Sequence, residues 1–295
     1  MKRQALFFSV VSLAALSVPT FAAEPEMFGH RYGKNAFNFE GMPAGPQPLR
    51  NLSRLPDGKA NAGRLVGDYN NPILTREAAA VVRQKGEMAT KGGFRNSQDQ
   101  CRSIAPPFTF AMQLGLVMLP AKNGDIDILY DQNANTRHIR MNASHPAKIV
   151  PSSMGDSIGH WEGDTLVVDT VGVKVDPYTS VDRFGTPQSE QMHVVERYRL
   201  IDGPTAKAQI DKYETSEGTV GGGGRDAGYD PNTNLKGLEL QVTMEDPKTF
   251  TQPLTARVTY RRLISEWTES VCADNPQEHY KDEWVGLPRA GRADF

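Results

Sequence analysis

Beyond Cys101, apolar and polar residues alternate in short runs separated by turn residues, which is the pattern of antiparallel β-structure with one buried face. Segments of period two run over Ile126 to Tyr130, Thr136 to Met141, Ser157 to Trp161, Thr165 to Val171, Met192 to Ile201, Thr205 to Tyr213, Leu238 to Met244, Thr255 to Leu263 and Trp267 to Cys272. Nine strands in this much chain predict a mainly β fold, either a closed barrel or a sandwich. Glu162-Gly163-Asp164 predicts a tight hairpin, since glycine accepts the positive φ that such turns need, and Asp202-Gly203 predicts a second one. Consecutive hairpins make a meander, and closing a meander removes its exposed edges.

Upstream the texture differs. From Glu24 to about Pro72 the chain is rich in Gly, Pro and Asn and shows neither helical nor strand periodicity, so it is expected to wrap a surface irregularly. One helix is predicted over Arg76 to Thr90, with Thr75 as its cap, Glu77 in the first turn, and Ala78, Val81 and Val82 at near-helical spacing. The organisation expected is a leader at 1–22, an irregular and helical extension at 23–100, a β-barrel domain at 101–275 and a tail at 276–295. The barrel domain carries a Gly-rich loop at 216–236. Its run Gly221 to Gly224 lies between strands and lacks the strand-to-helix setting of a phosphate loop, which predicts a mobile connection.

The start of the chain has its own pattern. Lys2 and Arg3 precede an uncharged stretch from Ala5 to Val18, followed by Pro19 and Thr20-Phe21-Ala22-Ala23. A basic region, a short apolar region and small residues at a cleavage site describe a secretory signal peptide, and imply a periplasmic or secreted protein. The apolar stretch falls short of the roughly 20 residues that span a bilayer, so no stable membrane insertion is expected. Across 295 residues, 38% are hydrophobic and 23% charged, and the mean hydropathy is −0.49. These values exclude a polytopic membrane protein and a disordered polyelectrolyte. With 33 Lys+Arg against 35 Asp+Glu there is no basic excess for nucleic acid. Cys101 and Cys272 are the only cysteines, compatible with one disulfide or with two buried thiols.

Alternation also sorts the polar residues, because side chains two apart in a strand share a face. In the segment from Met192 to Leu200 the apolar register is Met192, Val194, Tyr198 and Leu200, and Glu196 falls within it. In the last segment Trp267, Glu269 and Val271 share a face. Two carboxylates are thus expected to look into an apolar interior, where desolvation raises a carboxyl pKa. Such a pair divides acid from base in proton transfer, and His160, beside Trp161, is the third candidate catalytic residue. The competing reading makes both glutamates structural, in ion pairs with arginines such as Arg140, Arg257 or Arg262. His193 falls on the face opposite Glu196. No histidine or cysteine has a partner at ligand spacing, so neither metal nor cofactor is expected.

A barrel of about eight strands leaves room for one small ligand. Trp161, Tyr198, Tyr260 and Trp267 are the expected lining, with Arg197 or Arg140 orienting a carboxylate or phenolate. The function expected is an acid/base enzyme of lyase, hydratase or isomerase type acting on a small, apolar and aromatic molecule. The alternative is a barrel that binds or carries the molecule without changing it.

Gly155-Asp156-Ser157-Ile158-Gly159-His160-Trp161-Glu162-Gly163-Asp164-Thr165-Leu166-Val167-Val168-Asp169-Thr170 resembles a motif of a large family of exported bacterial proteins, most without an assigned role. The similarity continues through His193 to Tyr198 and Glu245 to Pro253, and ends near Cys272. Pro72-Ile73-Leu74-Thr75 and Cys101 fit it upstream. The resemblance implies a lipocalin-like or calycin-like β-barrel with an N-terminal extension, and it supplies no reaction. This chain departs from the pattern in its Gly-rich insertion and in Gln188, where a histidine commonly follows the proline.

Overall fold

The computed structural model describes residues 26–33, 38–55, 57–58, 66–91, 96–97, 101–112, 115–131, 135–217 and 228–264, with the side chains of 213–217 left aside. Its elements in chain order are β1 (Arg31–Gly33), β2 (Glu40–Gly41), α1 (Arg76–Thr90), a 3-10 turn (Phe108–Ala111), β3 (Leu116–Pro120), β4 (Ile126–Tyr130), β5 (Thr136–Met141), β6 (Asp156–Glu162) and β7 (Thr165–Val171). They are followed by β8 (His193–Ile201), α2 (Gly203–Glu217), β9 (Gly237–Glu245) and β10 (Leu254–Arg262).

Strands β3 to β10 pair in sequence, and β1 closes the ring. Tyr32 faces Leu116 of β3 on one side and Arg262 of β10 on the other, so nine strands form a closed barrel. Short β2 lies along another part of β10, with Gly41 opposite Ala256. The predicted closed barrel is therefore present, with one exception to antiparallel pairing. β5 and β6 run parallel, Arg140 beside Ile158. A parallel pair cannot be joined by a hairpin, and here residues 142–155 supply the crossover.

Local chemistry explains most of these elements. The β6–β7 hairpin turns at Gly163, whose φ of 64° is one that L side chains rarely adopt. Thr75 caps α1 by accepting a hydrogen bond from Ala78 N at 3.1 Å. Its hydroxyl also donates to Lys248 O at 2.8 Å, which ties the helix to the β9–β10 turn.

The segment Thr205 to Tyr213, expected as a strand, belongs to α2. Asp202-Gly203 is accordingly a helix start and not a hairpin. Asp202 Oδ1 accepts from Thr205 N at 2.8 Å, and Pro204 sits in the first turn, where its missing N–H costs nothing. Ala206 and Ile210 are the buried pair, one helical turn apart. β3 had no forecast, because Leu116-Val117-Met118-Leu119 is a continuous apolar run without alternation. The strand expected at Trp267 to Cys272 lies outside the described residues.

The inner face of the barrel carries Leu116, Met118, Ile128, Ile139, Leu166, Val168, Val194, Leu240, Val242 and Met244, all without measurable accessible surface. At one end the extension and the β7–β8 connection complete the same core through Phe39, Leu49, Ile73, Val82, Phe108, Phe110 and Phe184. Gly159 leaves room on the inner wall. A Cβ there would stand 2.8 Å from Ile139 Cγ2 and 3.2 Å from the Val167 carbonyl oxygen.

Candidate functional site

Period-two alternation along β8 turns Val194, Glu196, Tyr198 and Leu200 inward. Glu196 is fully buried, and it meets Arg137 of β5, itself 1% exposed. The contact is bidentate, with Arg137 Nη1 donating to Oε2 at 2.7 Å and Nη2 to Oε1 at 2.6 Å. Arg137 Nε donates to Ser157 Oγ of β6 at 3.0 Å, and Nη2 also reaches Thr170 Oγ1 of β7. Tyr198 Oη donates to Glu196 Oε2 at 2.7 Å. One guanidinium thus joins four consecutive strands across the interior.

The electrostatics follow from that packing. Burial opposes the charge on Arg137, but the Glu196 carboxylate more than offsets this and lifts Arg137 above the ordinary arginine range. Burial pushes the Tyr130 hydroxyl up to about 12 and raises Tyr198 and Tyr260 as well. Tyr130 Oη lies against Arg137 and Tyr198 without a well-formed hydrogen bond.

The expectation for Glu196 is an open interior with a ligand beside the carboxylate. In the structure the Glu196 side chain has no accessible surface, and its oxygens are committed to Arg137 and Tyr198. The arginine partner is Arg137 and none of the three anticipated. Arg140 pairs outside with Asp156 at 2.7 Å, Arg257 with Glu40 at 2.6 Å, and Arg262 with Glu26 at 3.1 Å.

The other candidates scatter. His160 points outward, half exposed, with Nε2 3.2 Å from Glu162, so it lies across the wall from Glu196. Arg197 also faces out and donates to Glu162 at 2.6 Å. Trp161 lies near the end of β6, partly buried against the core and edge-to-face with Phe28 at 6.2 Å. Tyr198 and Tyr260 are buried within the core. Ser157, at the start of the segment predicted as a strand, is a buried, inward residue of β6. Glu269, Trp267 and Cys272 lie outside the described residues. Cys101 is disulfide-bonded, and Cys272 is the only other cysteine in the chain.

On the outer wall a row of charges crosses the strands. His145, in the crossover, has Nδ1 2.5 Å from Asp156 Oδ1 and Nε2 3.1 Å from Asp169 Oδ1. His193 Nε2 stands 2.9 Å from the same Asp169 oxygen, and its Nδ1 3.5 Å from Glu245. The hydrogen bond to Asp169 raises the pKa of His193, and the reverse effect lowers that of Asp169. Among the described residues no three of these groups converge as a metal site. Sequence reasoning missed His145 because crossover residues carry no strand register.

Among the described residues, a cleft of about 250 Å³ lies between the segment 97–108 ahead of β3, the β5–β6 crossover and the β7–β8 connection. Arg102, Ala105, Phe108, Ser153, Lys174, Asp176 and Ser180 are among its lining residues. No family model, curated protein or solved structure matches the chain, so the family resemblance rests on its motif residues alone.

Proposed function

We propose that the protein is an exported, non-catalytic β-barrel that binds a small molecule in the cleft beside the barrel and not in its lumen. The observation that carries this reading is the contrast between the two places. The acid inside the barrel is buried and clamped by Arg137 and Tyr198, whereas the cleft is open and lined by Ser180, whose buried Oγ has no hydrogen-bond partner. Buried polar atoms are nearly always paired, so an orphan beside an opening is a place where a ligand completes the set. The volume sits just under the roughly 300–1,000 Å³ of sites for drug-sized molecules, which suits a smaller compound. Export is supported by the leader pattern of Lys2, Arg3 and Ala5 to Val18 and by the disulfide at Cys101, a bond that persists in oxidising compartments.

The test is thermal unfolding of the full chain against small aromatic and aliphatic metabolites. A compound that binds only the folded state raises the midpoint. Ser153→Trp, at an exposed position on the rim, is expected to abolish that rise, and Glu196→Gln to preserve it. A rise that survives Ser153→Trp overturns the cleft. Turnover of a bound compound that disappears in Glu196→Gln restores the acid/base enzyme in place of the binding protein.

A further inference from the structure

We infer that the ligand of this cleft is a small carboxylate, gripped through its oxyanion by Lys174 and Ser180 and resting its apolar part on Phe108 and Ala105; the inference presupposes that the cleft is a ligand site. The argument is one of donors and acceptors. Asp176 is the acidic side chain of the cleft, and its acceptor positions are in use. It takes Arg102 Nη1 at 2.7 Å, Tyr178 N at 2.8 Å and Thr179 Oγ1 at 3.2 Å.

The donors are differently placed. Among the described residues, Lys174 Nζ makes no ion pair and no hydrogen bond, although Lys174 lines the opening. Ser180 is 1% exposed, and its Oγ is the unpaired buried atom. Arg102 is held in place by Asp176 and by stacking over the Tyr178 ring at 4.7 Å, next to the anchored Cys101. Two cations against one carboxylate leave the cleft with a positive excess; Lys174 offers donors alone, and the Ser180 hydroxyl can donate as well. A ligand that completes it supplies acceptors and negative charge, as a carboxylate does. Phe108 and Ala105 add apolar surface to the lining of the same cleft, which favours an oxyanion attached to a short apolar body over free phosphate.

Benzoate and benzamide separate the charge from the shape, since the two differ only in the group offered to Lys174 and Ser180. Amide chemical shifts of the full chain, titrated with each at low salt, are expected to move at Lys174, Ser180 and Phe108 with benzoate and hardly at all with benzamide. Lys174→Gln is expected to weaken benzoate about tenfold, the effect of one charge-assisted hydrogen bond, and Ser180→Ala about threefold. Added salt weakens what remains. Both substitutions are tolerable to the fold, because Lys174 is exposed and Ser180 Oγ has no partner to lose. Equal binding of benzamide, or benzoate binding unchanged in both variants, overturns the carboxylate inference and leaves the cleft as a site for a neutral ligand. Shifts with inorganic phosphate alone overturn the apolar half of the inference. No shift at these residues with any probe overturns both the inference and the binding site beneath it.

Discussion

Replacing Glu196 by Gln changes one atom in the middle of the barrel and removes a charge without changing volume. Arg137 then keeps a positive charge at 1% exposure with an amide where a carboxylate was. Its two contacts at 2.6 and 2.7 Å are both charge-assisted, worth about 1.5–3 kcal/mol each, and losing one member of a buried pair costs about 3–5 kcal/mol in all. For a chain of this size each kcal/mol moves the thermal midpoint by roughly 2–4 °C, so a fall of about 10 °C is expected. The penalty belongs to the orphaned charge and not to the pair. The double substitution Arg137→Met with Glu196→Leu is therefore expected to recover most of the loss. Urea unfolding of the parent, Arg137→Met, Glu196→Leu and the double variant forms a closed cycle with a coupling of about 3 kcal/mol. A Glu196→Gln protein within about 1 kcal/mol of the parent would refute the reasoning. So would a double variant that loses the sum of the two single effects.

Three further outcomes follow from other parts of the molecule. Tyr198→Phe removes a hydrogen bond to the Glu196 carboxylate and is expected to cost about 1.5–3 kcal/mol, whereas Tyr130→Phe removes an unpaired hydroxyl and is expected to be neutral or slightly stabilising; equal costs in urea unfolding would contradict the assignment. Thr75→Ala uncaps α1 and frees the Lys248 carbonyl, for a loss of about 1–2 kcal/mol, while Thr75→Ser restores it; a silent Thr75→Ala would show that α1 is held by packing alone. His193 has its pKa raised by Asp169, so its contribution is complete below the unfolded value of about 6.5 and fades as pH rises through the higher folded value. His193→Gln should thus destabilise the protein at about pH 5.5 and leave it nearly unchanged at about pH 8.5, and the opposite order in thermal scans would be incompatible with the contact.

Strands with polar residues on the outer face were readable, and the strand with apolar residues there was not. β4 and β5 alternate because their outer faces carry polar side chains, as with Asp127 opposite His138. β3 hides its register in continuous apolar sequence. Thr205 to Tyr213 misleads in the other direction. Ala206, Ala208 and Ile210 alternate with Lys207, Gln209 and Asp211 and satisfy period two, but Ala206 and Ile210 also satisfy a helical turn, and capping by Asp202 decides the matter. The interior acid was legible by alternation, and the same rule applied to β5 turns Arg137 inward, since it shares a face with Ile139, although the arginines singled out in the sequence were others. Pairing the two required knowing that β5 and β8 face each other across a closed ring, which alternation does not encode. The cleft was invisible for a similar reason. Arg102 and Asp176 lie 74 positions apart in segments that have no period at all.

The three residues of β1 hold the ring shut, and they come from the beginning of the chain while their neighbours Leu116 and Arg262 come from much later. During synthesis that first strand can pair with β3 early, but it meets its other neighbour, β10, only after the last strand has emerged. Ring closure is consequently a late event that joins distant parts of the chain, and contacts of that kind form slowly. A chain truncated before Arg262 would present two raw sheet borders at once, each able to recruit a second molecule, so the seam is where folding of this protein turns into self-association.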